Sequence, residues 1–133
     1  MTNQPGSSLV STKLVVKDLQ REAEFYRSVC GYGEGIFIRD QLAGRPIDEI
    51  IFVPEGGGHS LILFTYTDGG EPSSSGVMLV YFTSDLDAFE ARVLAAGGTV
   101  HQAKGPIELP SGSSRMGVFA DPEGFLLEVI ESV

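Results

Sequence analysis

Apolar residues along the chain fall into short runs broken by glycine, proline and polar positions. Leu9 to Val16, Gly35 to Ile38, Glu49 to Val53, Leu61 to Tyr66, Val77 to Phe82, Val100 to Gln102, Met116 to Ala120 and Phe125 to Ile130 are rich in Val, Ile, Phe and Tyr. Such runs suit half-buried, pleated strands. Two stretches instead carry helical spacing. Leu19, Ala23, Tyr26 and Cys30 share one face, with Asp18 placed as N-cap and Gly31 placed to close the helix. Leu86, Phe89, Val93 and Ala96 share another, opened by Asp85 or Ser84 and ended by Gly97 and Gly98. The order is strand, helix, three strands, twice over.

The two halves also match in sequence. Lys17-Asp18-Leu19 aligns with Ser84-Asp85-Leu86 at an offset of 67, and that offset carries Gly31 onto Gly98. Toward the end of each half an offset of 65 pairs Gly58 to Phe64 with Glu123 to Val129. The pattern predicts a single α+β domain over residues 1–133, built of two βαβββ modules, 9–67 and 77–131, joined by a linker at 68–76. Each module has one sheet face covered by its helix and one to spare. Pairing the spare faces is expected to give a curved mixed sheet around a ligand cleft.

Composition narrows the partners. With 133 residues, 42% of them hydrophobic, the chain can bury a core without a disulfide, and its one cysteine, Cys30, permits none within the chain. Lys and Arg number 9 against 18 Asp and Glu, a formal net charge of −9, so a nucleic-acid partner is not expected. No apolar run approaches the ~20 residues of a membrane span, and the opening MTNQPGSS lacks the basic start and apolar stretch of a signal peptide. No membrane partner and a cytoplasmic location are expected. Gly56-Gly57-Gly58 leads into no helix, so it is no phosphate loop.

Leu14 to Leu19, Phe25-Tyr26 and Cys30-Gly31-Tyr32 together resemble the opening of the vicinal oxygen chelate superfamily, which includes glyoxalase I, bleomycin-resistance proteins and extradiol dioxygenases. Asp85 to Ala88, Ala96-Gly97-Gly98 and the Asp121-Pro122-Glu123-Gly124 turn running on to Glu128 resemble its second module. In metal-dependent members each module supplies two ligands, from its first and last strands. Carried across, those positions fall on Ser11, Leu63, Met78 and Glu128, of which only Glu128 is a competent ligand for a hard divalent ion. The resemblance therefore implies a degenerate site with no metal and no cofactor. Neither histidine repairs it: His59 lies in a Gly-rich turn, and His101 is read as a residue of the sixth strand.

Lys13 interrupts the first apolar run on the predicted cleft face. It is expected either to pair with Glu128, directly or through a ligand, or to reach solvent along an edge. Parity adds Leu61, Thr65, Val80, Phe82, Leu126 and Ile130 to the cleft, a mostly apolar set suited to a flat or greasy small molecule. Cys30 is read as a core residue, and Gly105 to Ser114 as either a lid or an ordinary loop.

Two functions follow. One is a glyoxalase/bleomycin-resistance-like protein without the usual metal site, binding a small apolar or aromatic molecule through Ser11, Leu61, Leu63, Met78, Val80, Phe82, Leu126 and His101. The alternative is a divergent lyase, isomerase or dioxygenase-type enzyme, with Glu128 as acid or base and Lys13 as stabiliser or base. The resemblance further implies a homodimer.

Overall fold

The computed structural model describes residues 7–72 and 76–132. The opening residues 1–6 and part of the 68–76 linker lie outside them. The chain divides into two compact units, residues 11–78, and residues 1–10 with 79–133.

In the 11–78 unit, β1 (Ser7–Val15, from Ser11 on) leads to α1 (Leu19–Cys30), β2 (Ile36–Leu42), β3 (Arg45–Phe52) and β4 (Ser60–Tyr66). The strand order is β2-β3-β4-β1, with β1 parallel to β4 and the other neighbours antiparallel. Asp18 caps α1 by accepting from the Arg21 N–H at 3.1 Å. Gly31 ends it at φ 78°, its N–H reaching the Arg27 carbonyl. The helix buries Leu19 and Ala23 against Ile50, Phe52 and Leu63, with Leu14, Tyr26, Tyr32 and Leu61 packed around them. Each of the larger ones, such as Leu19, Phe52 or Leu63, taken from water to full burial, contributes about 1.5–3 kcal/mol. Cys30 is exposed, correcting its expected core position: as the last residue of α1 it lies beyond the buried stripe set by Leu19 and Ala23.

Sequence patterning underestimated the β2–β3 hairpin. Both strands run through polar residues, Arg39-Asp40-Gln41 and Arg45-Pro46, to a two-residue turn at Ala43 (φ 50°) and Gly44 (φ 80°). Two consecutive positive φ angles match the twist of a tight hairpin.

The second unit contains β5 (Val77–Thr83, from Leu79 on), α2 (Leu86–Ala95), β6 (Thr99–Leu109), β7 (Gly112–Ala120) and β8 (Leu126–Glu131). Its order is β5-β8-β7-β6, and β6/β7 and β7/β8 are antiparallel. The first residues of β1 attach here, Ser7 Oγ donating to Thr83 Oγ1 at 3.2 Å. Asp85 caps α2 through the Ala88 N–H, and the Glu131 carboxylate accepts from the Leu86 N–H at 2.9 Å. Leu86, Phe119 and Val129 form the core under α2, with Tyr81, Phe89, Val93 and Leu127 packed on it. Residues 105–114 are not an irregular loop: β6 and β7 pair from Gly105–Met116 down to Leu109–Gly112, so this segment is a hairpin. The Asp121-Pro122-Glu123-Gly124 signature is a turn held by Asp121, whose carboxylate accepts from the N–H groups of Glu123 and Phe125 while Gly124 takes φ 93°.

Surface carboxylates couple this fold to pH. Arg45 grips Asp68 through two N–H groups at 2.8 and 2.9 Å and holds that carboxyl well below its ordinary range, helped by the Gly70 N–H. Arg115 does the same for Glu131, and Lys104 with Arg115 for Asp87. Each folded pKa is depressed, so the stabilisation is present above the unfolded values of about 4 and is lost as pH falls through the folded ones. The melting temperature is expected to be flat near neutrality and to drop steadily in acid. Asp68→Asn should lower it at pH 7 and make the acid decline shallower.

Candidate functional site

Pairing registers decide which side chains share the face opposite α1. Leu14, Leu61, Leu63, Ile50 and Phe52 pack under the helix, so alternation puts Ser11 and Lys13 of β1, Ile62 and Phe64 of β4, and Glu49 of β3 on the other side. All five are less than a tenth exposed. A lysine and a glutamate thus sit inside an apolar strand face.

They sit together. Lys13 is opposite Ile62 and Glu49 is opposite Phe64, so the two charges flank β4. The Lys13 side chain spans that strand, and its Nζ donates to Glu49 Oε1 at 2.7 Å. The ammonium also lies 5.9 Å from the centre of the Phe64 ring, within reach of a cation–π attraction. Their side chains are 8% and 6% exposed. Desolvation on this scale costs several kcal/mol per ion and is offset only by close, well-directed pairing. Sequence reasoning singled out Lys13 but not Glu49. The available signal was a charge in the apolar run Glu49 to Val53, to be matched with the charge in the first strand.

The other expected site residues are distributed as follows. Leu63 is fully buried in the core under α1 and Leu61 packs against it, so in this unit the side chains of β4 on the opposite face are Ile62 and Phe64. Met78 is fully buried. In the second unit Tyr81, Leu127 and Val129 pack under α2. Val80, Phe82, Leu126, Glu128 and Ile130 alternate with them and point to the opposite face, where Glu128 is 9% exposed and Phe82 40%. Glu128 stands across from Val118, which is fully buried.

His101 occupies a register shift in β6, between Val100, paired with Phe119, and Gln102, paired with Val118. Its Nε2 is buried and has no hydrogen-bond partner among the described residues. Bulges re-aim side chains in this way. His59 is exposed, and its Nε2 lies 2.7 Å from Thr12 Oγ1.

The donor chemistry does not fit a divalent ion. Of the four family positions, Leu63 offers no donor atom and lies in the core under α1. The buried carboxylate of the 11–78 unit, Glu49, already holds an ammonium at 2.7 Å, which repels a second cation. Among the described residues no three His, Cys, Asp or Glu side chains gather as a metal-binding group. No described helix is long and apolar enough to cross a membrane.

Comparison with known proteins gives a consistent picture of the fold. Residues 8–129 match the family model described as Glyoxalase/Bleomycin resistance protein/Dioxygenase superfamily. A triple mutant of 4-hydroxymandelate synthase from Streptomyces coelicolor superposes with TM-score 0.71 at 15% identity, over 98% of this chain and 50% of that one. This chain therefore spans half the length of that synthase. Methylmalonyl-CoA epimerase from Streptomyces coelicolor, in complex with 2-nitronate-propionyl-CoA, superposes with TM-score 0.66 at 23% identity, over 94% and 96% of the two chains. The epimerase from Mycobacterium tuberculosis gives 0.67 at 21% identity, over 94% and 87%. No curated protein sequence matches.

Proposed function

The chain belongs to the glyoxalase/bleomycin resistance protein/dioxygenase superfamily, and from that premise we propose that it binds a small molecule with an apolar or aromatic body and a carboxylate, without the family's divalent ion. The observation that carries this reading is the buried Lys13–Glu49 pair on an apolar strand face. Buried ion pairs contribute little net stability compared with apolar residues of the same shape, which favours a use for the charge itself. A ligand carboxylate arriving near Lys13 would share the ammonium with Glu49. The lysine supplies the positive charge that a metal gives elsewhere in the family.

The similar structures support the ligand class. Two of them hold CoA esters, 2-nitronate-propionyl-CoA and methylmalonyl-CoA, and a third is named for 4-hydroxymandelate; methylmalonyl-CoA and 4-hydroxymandelate each combine a carboxylate with an acyl or aromatic part. A second reading, a divergent isomerase or lyase, rests on Glu128, a carboxylate nine-tenths buried opposite Val118 and able to serve as acid or base.

Calorimetric titration of chelator-treated protein with 4-hydroxymandelate and with its methyl ester tests the main reading. The acid should bind at least tenfold more tightly than the ester, and added Mg²⁺, Mn²⁺ or Co²⁺ should leave its affinity unchanged. Equal affinity for acid and ester, or binding that appears only with the metal, defeats the proposal. Deuterium uptake at C2 of methylmalonyl-CoA in heavy water, abolished by Glu128→Gln, would establish the enzymatic reading instead.

A further inference from the structure

Within the second unit, the end of α2 and the turn after β7 enclose a pocket of about 260 Å³. Phe89, Val93 and Ala96 of the helical side face Ala120, Pro122 and Leu127 across it. Small residues leave the space open. Gly98 also borders the pocket, and a Cβ there would stand 2.6 Å from both the Ala120 carbonyl oxygen and a Val93 methyl, so the chain passes this close to β7 only as glycine. The larger walls are fixed from behind. Phe89 is seated against Tyr81 and Phe119, with ring centres 6.2 and 6.0 Å away, and Val93 and Leu127 pack on the core under α2. A dry apolar cavity of about 150 Å³ takes one benzene ring, so this one has room for two fused rings.

Arg92 borders the same pocket, its guanidinium carbon 5.5 Å from the centre of the Phe89 ring. Arg27, Arg39, Arg45 and Arg115 each meet a carboxylate. Among the described residues Arg92 meets none, although acidic side chains outnumber basic ones 18 to 9. Nor is its charge needed to close the helix: the carbonyls of Arg92, Val93 and Leu94 already accept from the N–H groups of Ala96, Gly97 and Gly98. Asp121 lies in the wall as well, but its Oδ1 accepts from the Glu123 and Phe125 N–H groups, so its charge is met within the turn. We infer that this pocket binds a free carboxylic acid with a flat apolar body of one or two rings. The rings lie against Phe89, Val93 and Leu127, and the carboxylate takes two N–H bonds from Arg92. A guanidinium held over an aromatic ring is pre-oriented for such two-point pairing. The site is on the helix-covered face of its unit and uses neither Lys13 nor Glu128, so it stands independently of the ligand proposed above.

Amide proton–nitrogen spectra of the wild-type chain titrated with naphthalene-2-carboxylate test the site. The N–H signals of Ala96, Gly97, Gly98 and Leu127 should shift and saturate together. Arg92→Met should raise the dissociation constant read at those signals at least tenfold, while leaving that of the uncharged naphthalene-2-carboxamide within about twofold. Ala96→Phe, which fills the pocket from the exposed end of the helix, should remove binding of both probes with unchanged circular dichroism. No saturable shift at these signals, or an Arg92→Met variant that holds the acid as the wild type does, would overturn the inference. Tighter binding of 2-naphthylmethylamine than of the acid would give the site to Asp121 and overturn it too. Shifts confined to the strands that carry Lys13 and Glu49 would assign the probe to the face described earlier and reject a second site.

Discussion

Lys13→Met is expected to destabilise the protein by about 3–5 kcal/mol, the usual cost of removing one member of a buried ion pair. Glu49 keeps only 4% of its surface in water, so solvation cannot replace the lost ammonium. The double variant Lys13→Met, Glu49→Met should recover most of that loss, since two apolar side chains pack on Ile62 and Phe64 without any desolvation cost. Chemical denaturation of the two single variants and the double variant gives the coupling directly. A coupling below about 0.5 kcal/mol, the size of ordinary additivity errors, would mean that the pair is weaker than its 2.7 Å geometry implies. The same double variant should lose its preference for 4-hydroxymandelate over the ester while remaining folded, which separates the binding role of the pair from its role in stability.

Leu63→Ala is expected to cost about 2–5 kcal/mol in unfolding free energy, the range for opening a cavity at a fully buried leucine. Leu63 is 0% exposed and packs with Leu19, Ala23, Ile50 and Phe52 under α1. Its ligand affinity per folded molecule should stay within about twofold of wild type. A small stability loss accompanied by a large change in affinity would return Leu63 to the binding face.

This contrast marks where the sequence was informative. Caps and helix stops were legible because one residue carries each: Asp18, Asp85 and Gly31 do locally what their chemistry dictates. The turn at Asp121 was legible for the same reason. Strand faces were harder, because a strand has period two and one residue of slip exchanges its faces. The offset of 65 sets Leu63 against Glu128, yet Leu63 packs under its helix while Glu128 alternates with Leu127 and Val129, which pack under theirs. β2 and the start of β3 were underread because edge and hairpin residues such as Arg39, Asp40 and Arg45 need not be apolar to pair. Glu49 was passed over because nothing local says that a glutamate among isoleucines is buried. That follows only once β4 sets it and Lys13 on either side of Phe64.

The division of the chain bears on the order in which it is assembled during synthesis. All the residues of the 11–78 unit are contiguous, so its helix and strands can settle as soon as Met78 has left the ribosome. The other unit needs Ser7, which bonds Thr83 from 76 residues away, and also β8, which ends at Glu131. At roughly 5–20 residues per second, Ser7 waits about 3–10 s beyond that point before the last strand of its unit exists.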